Sequence, residues 1–447
     1  MTSAKILIIT LEPISKKMAG PAIRAVELGK VLCGEFDVTV FSPVDIEDGL
    51  TLPTDENWQN FRIVTGGGRK KLTELAEAAD TIFLQANVLK PFPFLAEMNR
   101  YLIVDLYDPY LFAVLVQYKD DAVQADASYR LMHQVLEKHM LAADLTLCAS
   151  ERQRDYWIGR FCALGRINPA MYRFDPSLRK LIDVAPFGLP TIAPQKCGPG
   201  LRERIPAIAA DDPVLLWGGG IWDWFDPLTV LKAVKIVSAE IENIRLVFMG
   251  TKSPNPKVPV MDMTTRAMAL AKELDLTDKN VFFLEGWVDY DERVNYLLDA
   301  TIAVSSHFDL PETRFSFRTR LLDYFWCGLP VLTTGGDQLA ELIDAGGAGV
   351  ALPYQDEAAW AAAIKNTLSD KARLKSMQDN ARRLGERFHW QDNAEPIRKF
   401  LRQPHHLPQH EQVTMPNLIE RARAIYRRGG KELIIKRSTE LINDILK

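Results

Sequence analysis

Apolar and polar positions along the chain fall into two alternating series. Residues 5–10 (KILIIT) are a continuous apolar run, the pattern of a strand buried on both faces. A loop with Pro13, Gly20 and Pro21 leads to helical spacing over 22–32, and 37–41 (DVTVF) is the next strand. The pattern then predicts strand 62–65, helix 71–79, strands 81–85 and 101–105, and a long amphipathic helix over 125–142. Strand 145–149, helix 151–161 capped by Ser150, and strand 181–185 close the first series. Residues 190–212 hold Pro190, Pro194, Gly198, Pro199, Gly200 and Pro206, a density of breakers that reads as a linker. The second series predicts strands 214–217, 244–249, 281–284, 300–304, 330–333 and one near 349–352. Its helices are 227–238, 264–274, 292–299, 357–368 and 371–388. Such alternation predicts parallel sheets with helices on both faces. The expected fold class is α/β: two doubly wound Rossmann-like domains, 1–190 and 213–388, facing a cleft across the linker 191–212. A crossover and connector over 389–416 and a basic helical tail over 417–447 follow.

The stretch 305–339 holds the densest chemistry. A loop with Pro311, Glu312 and Thr313 follows a strand. Ser316 stands where an N-cap would, ahead of a helix through Arg318, Leu321, Leu322, Phe325 and Trp326, and Gly328 stops that helix before the next strand. Polar groups thus gather at one sheet edge. Open parallel sheets bind ligands at their carboxyl ends, and helix N-termini attract phosphate.

Composition narrows the class. At 447 residues the chain holds two or three domains, and 47% hydrophobic with 25% charged residues is the balance of a globular protein. A net charge of −4 gives no reason to propose nucleic acid as a partner. Uncharged apolar runs stay below the ~18 residues of a membrane span, and the start of the chain does not read as a signal peptide. Five scattered cysteines fit reduced packing residues in a cytosol. His405, His406 and His410 lie in a polar connector and read as linker, so no metal site is expected. The tail reads as two helices, 417–428 and 431–447, broken by Gly429 and Gly430, with basic residues in excess. It suggests docking on an anionic membrane surface; packing back on the body is the other reading.

Four segments together carry a resemblance: MAGPAIRAVELGKVL after the first strand, PFGLP before the linker, VFFLEGWVDYDERVNYLLDATIAVSS, and LLDYFWCGLPVLTTGGDQLAELI. In order and spacing the chain resembles GT-B glycosyltransferases, its C-terminal half the retaining family 4 (glycosyl transferases group 1), as a variant subgroup. That family has two glutamates separated by seven residues. Here the second position is Asp323, which can accept hydrogen bonds from ribose hydroxyls, and the first is Phe315, which cannot act as a carboxylate. Glu312 is the nearest acid. The family's Arg and Lys after the first strand of the second domain fall at Gly220 and Phe225, so other cations must neutralise the donor diphosphate.

The residues offer candidates. Arg318 and Arg320 stand near a helix start, and one is expected to face the cleft while the other makes an ion pair. Lys252 is a second phosphate candidate. Gly219 and Gly220, in the loop GGGIWDWFDP, let backbone N–H groups approach a phosphate, with Trp222 as an aromatic wall and Asp226 as sugar contact or N-cap. Gly20 stands where the resemblance brings backbone near the donor. Arg24 follows it on a helix that could face the cleft. Asp108, in VDLYDP, is an acid that could deprotonate an acceptor or form an Asx turn. Asp337 reads as a donor-sugar contact or as an N-cap. Glu151 and Arg152 are weaker candidates.

The resemblance implies a metal-independent hexosyltransferase-type enzyme without a cofactor. Its substrates would be a nucleotide-diphosphate sugar and a glycan or lipid-linked acceptor, in bacterial surface polysaccharide or lipopolysaccharide assembly. Its place would be cytoplasmic, at the inner face of the membrane. Glu312, Arg318 and Asp108 are the catalytic candidates. The alternatives are an inert transferase-like binding subunit, motivated by the missing charges, and a GT-B phosphorylase or epimerase.

Overall fold

The computed structural model describes residues 3–45, 59–409 and 418–445. The first series folds as seven strands, β1 (Lys5–Ile9), β2 (Asp37–Ser42), β3 (Phe61–Thr65), β4 (Thr81–Gln85), β5 (Tyr101–Asp105), β6 (Leu145–Cys148) and β7 (Ile182–Val184), in spatial order β3-β2-β1-β4-β5-β6-β7. The second folds as β8 (Val214–Trp217), β9 (Arg245–Phe248), β10 (Val281–Phe283), β11 (Ile302–Ser305), β12 (Val331–Thr334) and β13 (Gly349–Leu352), in order β10-β9-β8-β11-β12-β13. Neighbours pair in parallel, for example Leu7 with Thr39 and with Ile82, and Leu216 with Val247 and Ala303. The central strands are apolar because helices cover both faces: β4, β6, β8, β11 and β12 are buried at every position. Each sheet reverses its strand order once, between β1 and β4 and between β8 and β11. A crevice opens at the carboxyl ends of such switch points.

Local differences from the expected elements have local causes. Helices Tyr110–Gln117 and Pro169–Phe174 were not expected. The first is apolar along nearly its whole length (YLFAVLVQ), so it shows no periodicity. The linker is not a free tether. It contains the short helix Leu201–Arg204, buries Leu201, Ile205 and Ile208, and docks on the second domain, where Asn295 Oδ1 accepts from the Cys197 and Gly198 amides at 2.7 and 3.1 Å. Beyond residue 388 the chain crosses back. Trp390 N donates to Leu189 O, and helix Glu395–Arg402 sets Phe400 edge-on to Tyr101 and pairs Arg402 with Glu35 at 2.9 Å.

The helix expected after Ser316 is two helices, Pro311–Phe315 and Thr319–Cys327, and Ser316 does not cap the second. Its hydroxyl donates to the Glu312 carbonyl and carboxylate, which leaves Arg318 at the N-cap position without a side-chain cap bond. Gly328 ends the helix in the left-handed region, as expected. In the tail, Leu418–Ile445 departs from helical geometry at Gly429 and Gly430. Residues 410–417 and 446–447, with His410, Asn417 and Lys447 among them, lie outside the described residues. Among the described residues no helix is long and apolar enough to cross a membrane.

Candidate active site

A cleft of about 350 Å³ lies between the two domains. The first domain contributes Glu12, the turn around Gly20, Tyr107, Asp108 and Phe187. The second contributes residues 218–220, Trp222, Trp224, Phe225, Trp287, Tyr290, Arg293 and the start of helix Thr319–Cys327. Of the sequence candidates, the structure brings together Gly20, Asp108, Gly219, Gly220, Trp222, Arg318, Arg320 and Asp323.

The loop after β8 needs its glycines. Gly219 has φ +74°, and a Cβ on Gly220 would stand 2.9 Å from the Trp287 ring. Arg320 reaches this loop from helix Thr319–Cys327. Its Nη2 donates to Gly220 O at 2.7 Å, its guanidinium lies 4.2 Å from the Phe225 ring centre and 5.2 Å from that of Trp217, and its enclosed Nη1 has no hydrogen-bond partner. Burial, with Arg318 adding to it, lowers its pKa to about 10 against the pull of Tyr324. This is a buried donor group on a cation that a bound anion would complete. The guanidinium thus stands against Gly220 and Phe225, the two positions where the resembled family carries its own cations.

Arg318 is the partner-bound arginine of the two. Its Nη2 meets Glu312 Oε2 at 2.6 Å and its Nη1 meets Oε1 at 3.1 Å, with both side chains about 5% exposed. Glu312 therefore stands behind Arg318 and does not line the cleft. Phe315 is turned away as well, into an aromatic cluster with Phe112 (5.9 Å) and Tyr156 (4.9 Å) of the first domain. Asp108 faces Arg318 and Glu312 from the opposite domain. Burial first, then the Glu312 charge, raises its pKa to about 7, while a hydrogen bond with Tyr107 and the charge of Arg318 oppose the rise. A carboxyl that titrates near neutrality in a cleft is suited to acid–base work.

Asp323 lines the cleft with its side chain 31% exposed, and its Oδ1 accepts from Arg293 Nε at 3.1 Å. Burial pulls the Arg293 pKa down, but Asp323 and Tyr290 outweigh it and raise it; the guanidinium also lies 3.7 Å from the Tyr290 ring centre. Arg293, Glu12 and Trp287 were not singled out from the sequence. Trp287 Nε1 donates to Met18 O, and Glu12 Oε2 accepts from Asn255 Nδ2 at 3.0 Å, so each is fixed across the domain boundary. Only the segment DYDERVNYLL, inside a quoted family piece, could have pointed to Arg293.

Other candidates are occupied elsewhere. Asp226 is the N-cap of helix Pro227–Ser238, accepting from Thr229 N and Oγ1 at 3.2 and 2.6 Å. Asp337 caps helix Gln338–Ala345 through Ala340 N and lies 3.3 Å from His307, fully buried. Neither lines the cleft. Lys252 is exposed and borders a small recess beside Gly220 and Trp222. Arg24 does not face the cleft: it is fully buried and clasps Asp105 at 2.6 and 2.9 Å. Arg152 binds Glu341 and Gly336 O across the domain boundary, and Glu151 pairs with Arg179, both away from the cleft.

Known proteins share this two-domain fold. Residues 212–370 match the family model of Glycosyl transferases group 1. A D-inositol 3-phosphate glycosyltransferase of Thermobispora bispora is 28% identical over 193 residues, 43% of either chain, so the match spans less than half of that relative's length. Sucrose-phosphate synthase from Thermosynechococcus elongatus superposes with a TM-score of 0.63 at 20% identity, covering 90% of this chain and 98% of that one. Anabaena HepE in complex with UDP-glucose does so at 0.62 and 16% identity, covering 89% and 99%. The chain therefore has the two-domain GT-B fold of glycosyltransferases, and its second domain carries the group 1 match that its sequence resembled.

Proposed function

We propose that the chain is a glycosyltransferase that moves a sugar from a nucleotide-diphosphate sugar to an acceptor hydroxyl. The observation that carries this reading is Arg320, a guanidinium with an unpartnered Nη1 beside the glycine loop at a switch point. The donor diphosphate is placed against that loop and Arg320, whose charge stabilises the leaving group. Asp323, with Oδ1 engaged by Arg293, is proposed to offer Oδ2 to the ribose hydroxyls. Asp108 takes the acceptor proton from the opposite wall, and Arg318, held by Glu312, lines the same cleft. The neutralising groups are side chains and backbone, so the proposal needs no metal. Membership of family 4, retention, a hexosyl donor and a role in surface polysaccharide or lipopolysaccharide assembly belong to the same proposal. They are supported by the group 1 match and by a structural likeness to WaaG, described as a glycosyltransferase involved in lipopolysaccharide biosynthesis. The missing family cations had motivated the inert reading; Arg320 against Gly220 and Phe225 speaks for the active one. Binding of UDP-, GDP- and ADP-sugars by thermal shift tests the proposal. One nucleotide is expected to stabilise the chain, with the effect lost in Arg320→Ala; a chain indifferent to all three refutes it.

A further inference from the structure

We propose that the acceptor enters the cleft with an uncharged, polyhydroxylated end, and that a phosphorylated end is excluded. This rests on the transferase reading above and goes beyond it to the acceptor class. The two walls of the cleft carry opposite charge. The second domain supplies three guanidinium groups, Arg293, Arg318 and Arg320. Two are balanced by Asp323 and Glu312, and the third is left over for the donor. On the first-domain wall, among the described residues, the charged lining groups are the acids Glu12 and Asp108; the others are apolar, glycine or tyrosine.

Arg24, on the helix that begins at Gly20, cannot be recruited to this wall. Arg24 is fully buried, bonded to both Asp105 oxygens and to the carbonyls of Ala185 and Pro186. A phosphate brought to this wall would meet two carboxyl groups in a poorly screened site, with no cation among the described residues that line it on this side. Hydroxyl groups suit it better, because a carboxyl accepts from them when ionised and also donates when protonated. Glu12 is built for that contact. Asn255 from the opposite domain fixes its Oε2 at 3.0 Å and leaves Oε1 for a ligand. Burial raises the Glu12 pKa against that hydrogen bond, in the same direction as Asp108.

The test has two arms. UDP-glucose, GDP-mannose and ADP-glucose are first screened by thermal shift. Glucose against glucose 6-phosphate, and myo-inositol against inositol 3-phosphate, are then titrated by calorimetry into the chain loaded with the matching nucleoside diphosphate. The neutral member of each pair is expected to bind at least tenfold more tightly. Glu12→Gln should narrow that gap, and Glu12→Lys should close or reverse it. Equal or tighter binding of the phosphorylated members overturns the inference, and so does a loaded chain that binds neither member. A chain that binds no nucleotide sugar fails in the first arm. That result removes the transferase reading itself, and this inference with it, and is distinguishable from a wrong acceptor class.

Discussion

At the scale of single residues, the site separates binding from stability. Arg320 is a costly group for the fold: its desolvated charge and its unpartnered nitrogen offset the hydrogen bond to Gly220 O and the contacts with Phe225 and Trp217. Arg320→Leu is therefore expected to keep or raise the melting temperature while weakening nucleotide binding about 10- to 100-fold, as for the loss of a charge-assisted hydrogen bond. Calorimetry and a melting curve on one preparation check both halves. Asp108 gives a pH signature. Its pKa near 7 in the fold lies above the ordinary aspartate value, so the native state holds the proton more tightly than the unfolded chain. The stability it contributes is complete below about pH 4 and is lost as the pH rises through about 7. Melting temperatures should fall over that window, and Asp108→Asn should flatten the fall. As the proposed base it must be ionised, so transfer should rise with pH about a midpoint near 7, and the same variant should remove that limb.

At the scale of elements, the helix pair Pro311–Phe315 and Thr319–Cys327 is where sequence and structure part company. The strands were legible because a fully covered parallel sheet writes continuous apolar runs, and β4, β5, β8 and β13 fall at the expected residues. Gly328 was legible as a stop. Ser316 was misread because a serine before a helix can bond backward as easily as forward, and Glu312 captured its hydroxyl. Asp226 and Asp337 carried two readings each, and cap geometry, set by the amides three residues on, decides their observed partners. The arginines were legible as a pair with divided roles, but which one was paired was not. That depended on Glu312, six residues away in sequence and brought back by the break between the helices. The same break couples the elements to Asp108. Glu312 raises the Asp108 pKa and Arg318 lowers it, so Glu312→Gln should move the pH–rate midpoint to lower pH and Arg318→Met to higher pH. Arg318→Met also strands a buried carboxylate and should cost about 3–5 kcal/mol in stability by chemical denaturation. A midpoint unmoved by both changes would show that the three groups do not communicate.

At the scale of the whole molecule, the domains are held by contacts that no local pattern encodes. Phe315 sits against Phe112 and Tyr156, Trp287 donates to Met18 O, and Gln153 Nε2, which also donates to Tyr107 O within its own domain, donates to Phe315 O across the boundary. The sequence showed only that Phe315 was not an acid; its use as an interdomain ring required the second domain to be in place. The tail poses the remaining question at this scale. Arg423, Arg427, Arg428, Lys431 and Lys436 are exposed along the described segment, as are Tyr426 and Ile435. At ~1 kcal/mol per basic residue near an anionic surface, five such charges are enough for measurable peripheral binding, and that binding must weaken with salt. The proposed membrane contact is thus expected to float the full chain with phosphatidylserine vesicles at low ionic strength. Flotation should be absent with neutral vesicles, released by about 0.5 M salt, and lost on deleting residues 417–447. Nucleotide binding should survive that deletion, since no described residue of the tail lines the cleft. If the full chain fails to float while the deletion lowers the melting temperature, the tail is packing on the body, and its charges serve the fold instead of a membrane.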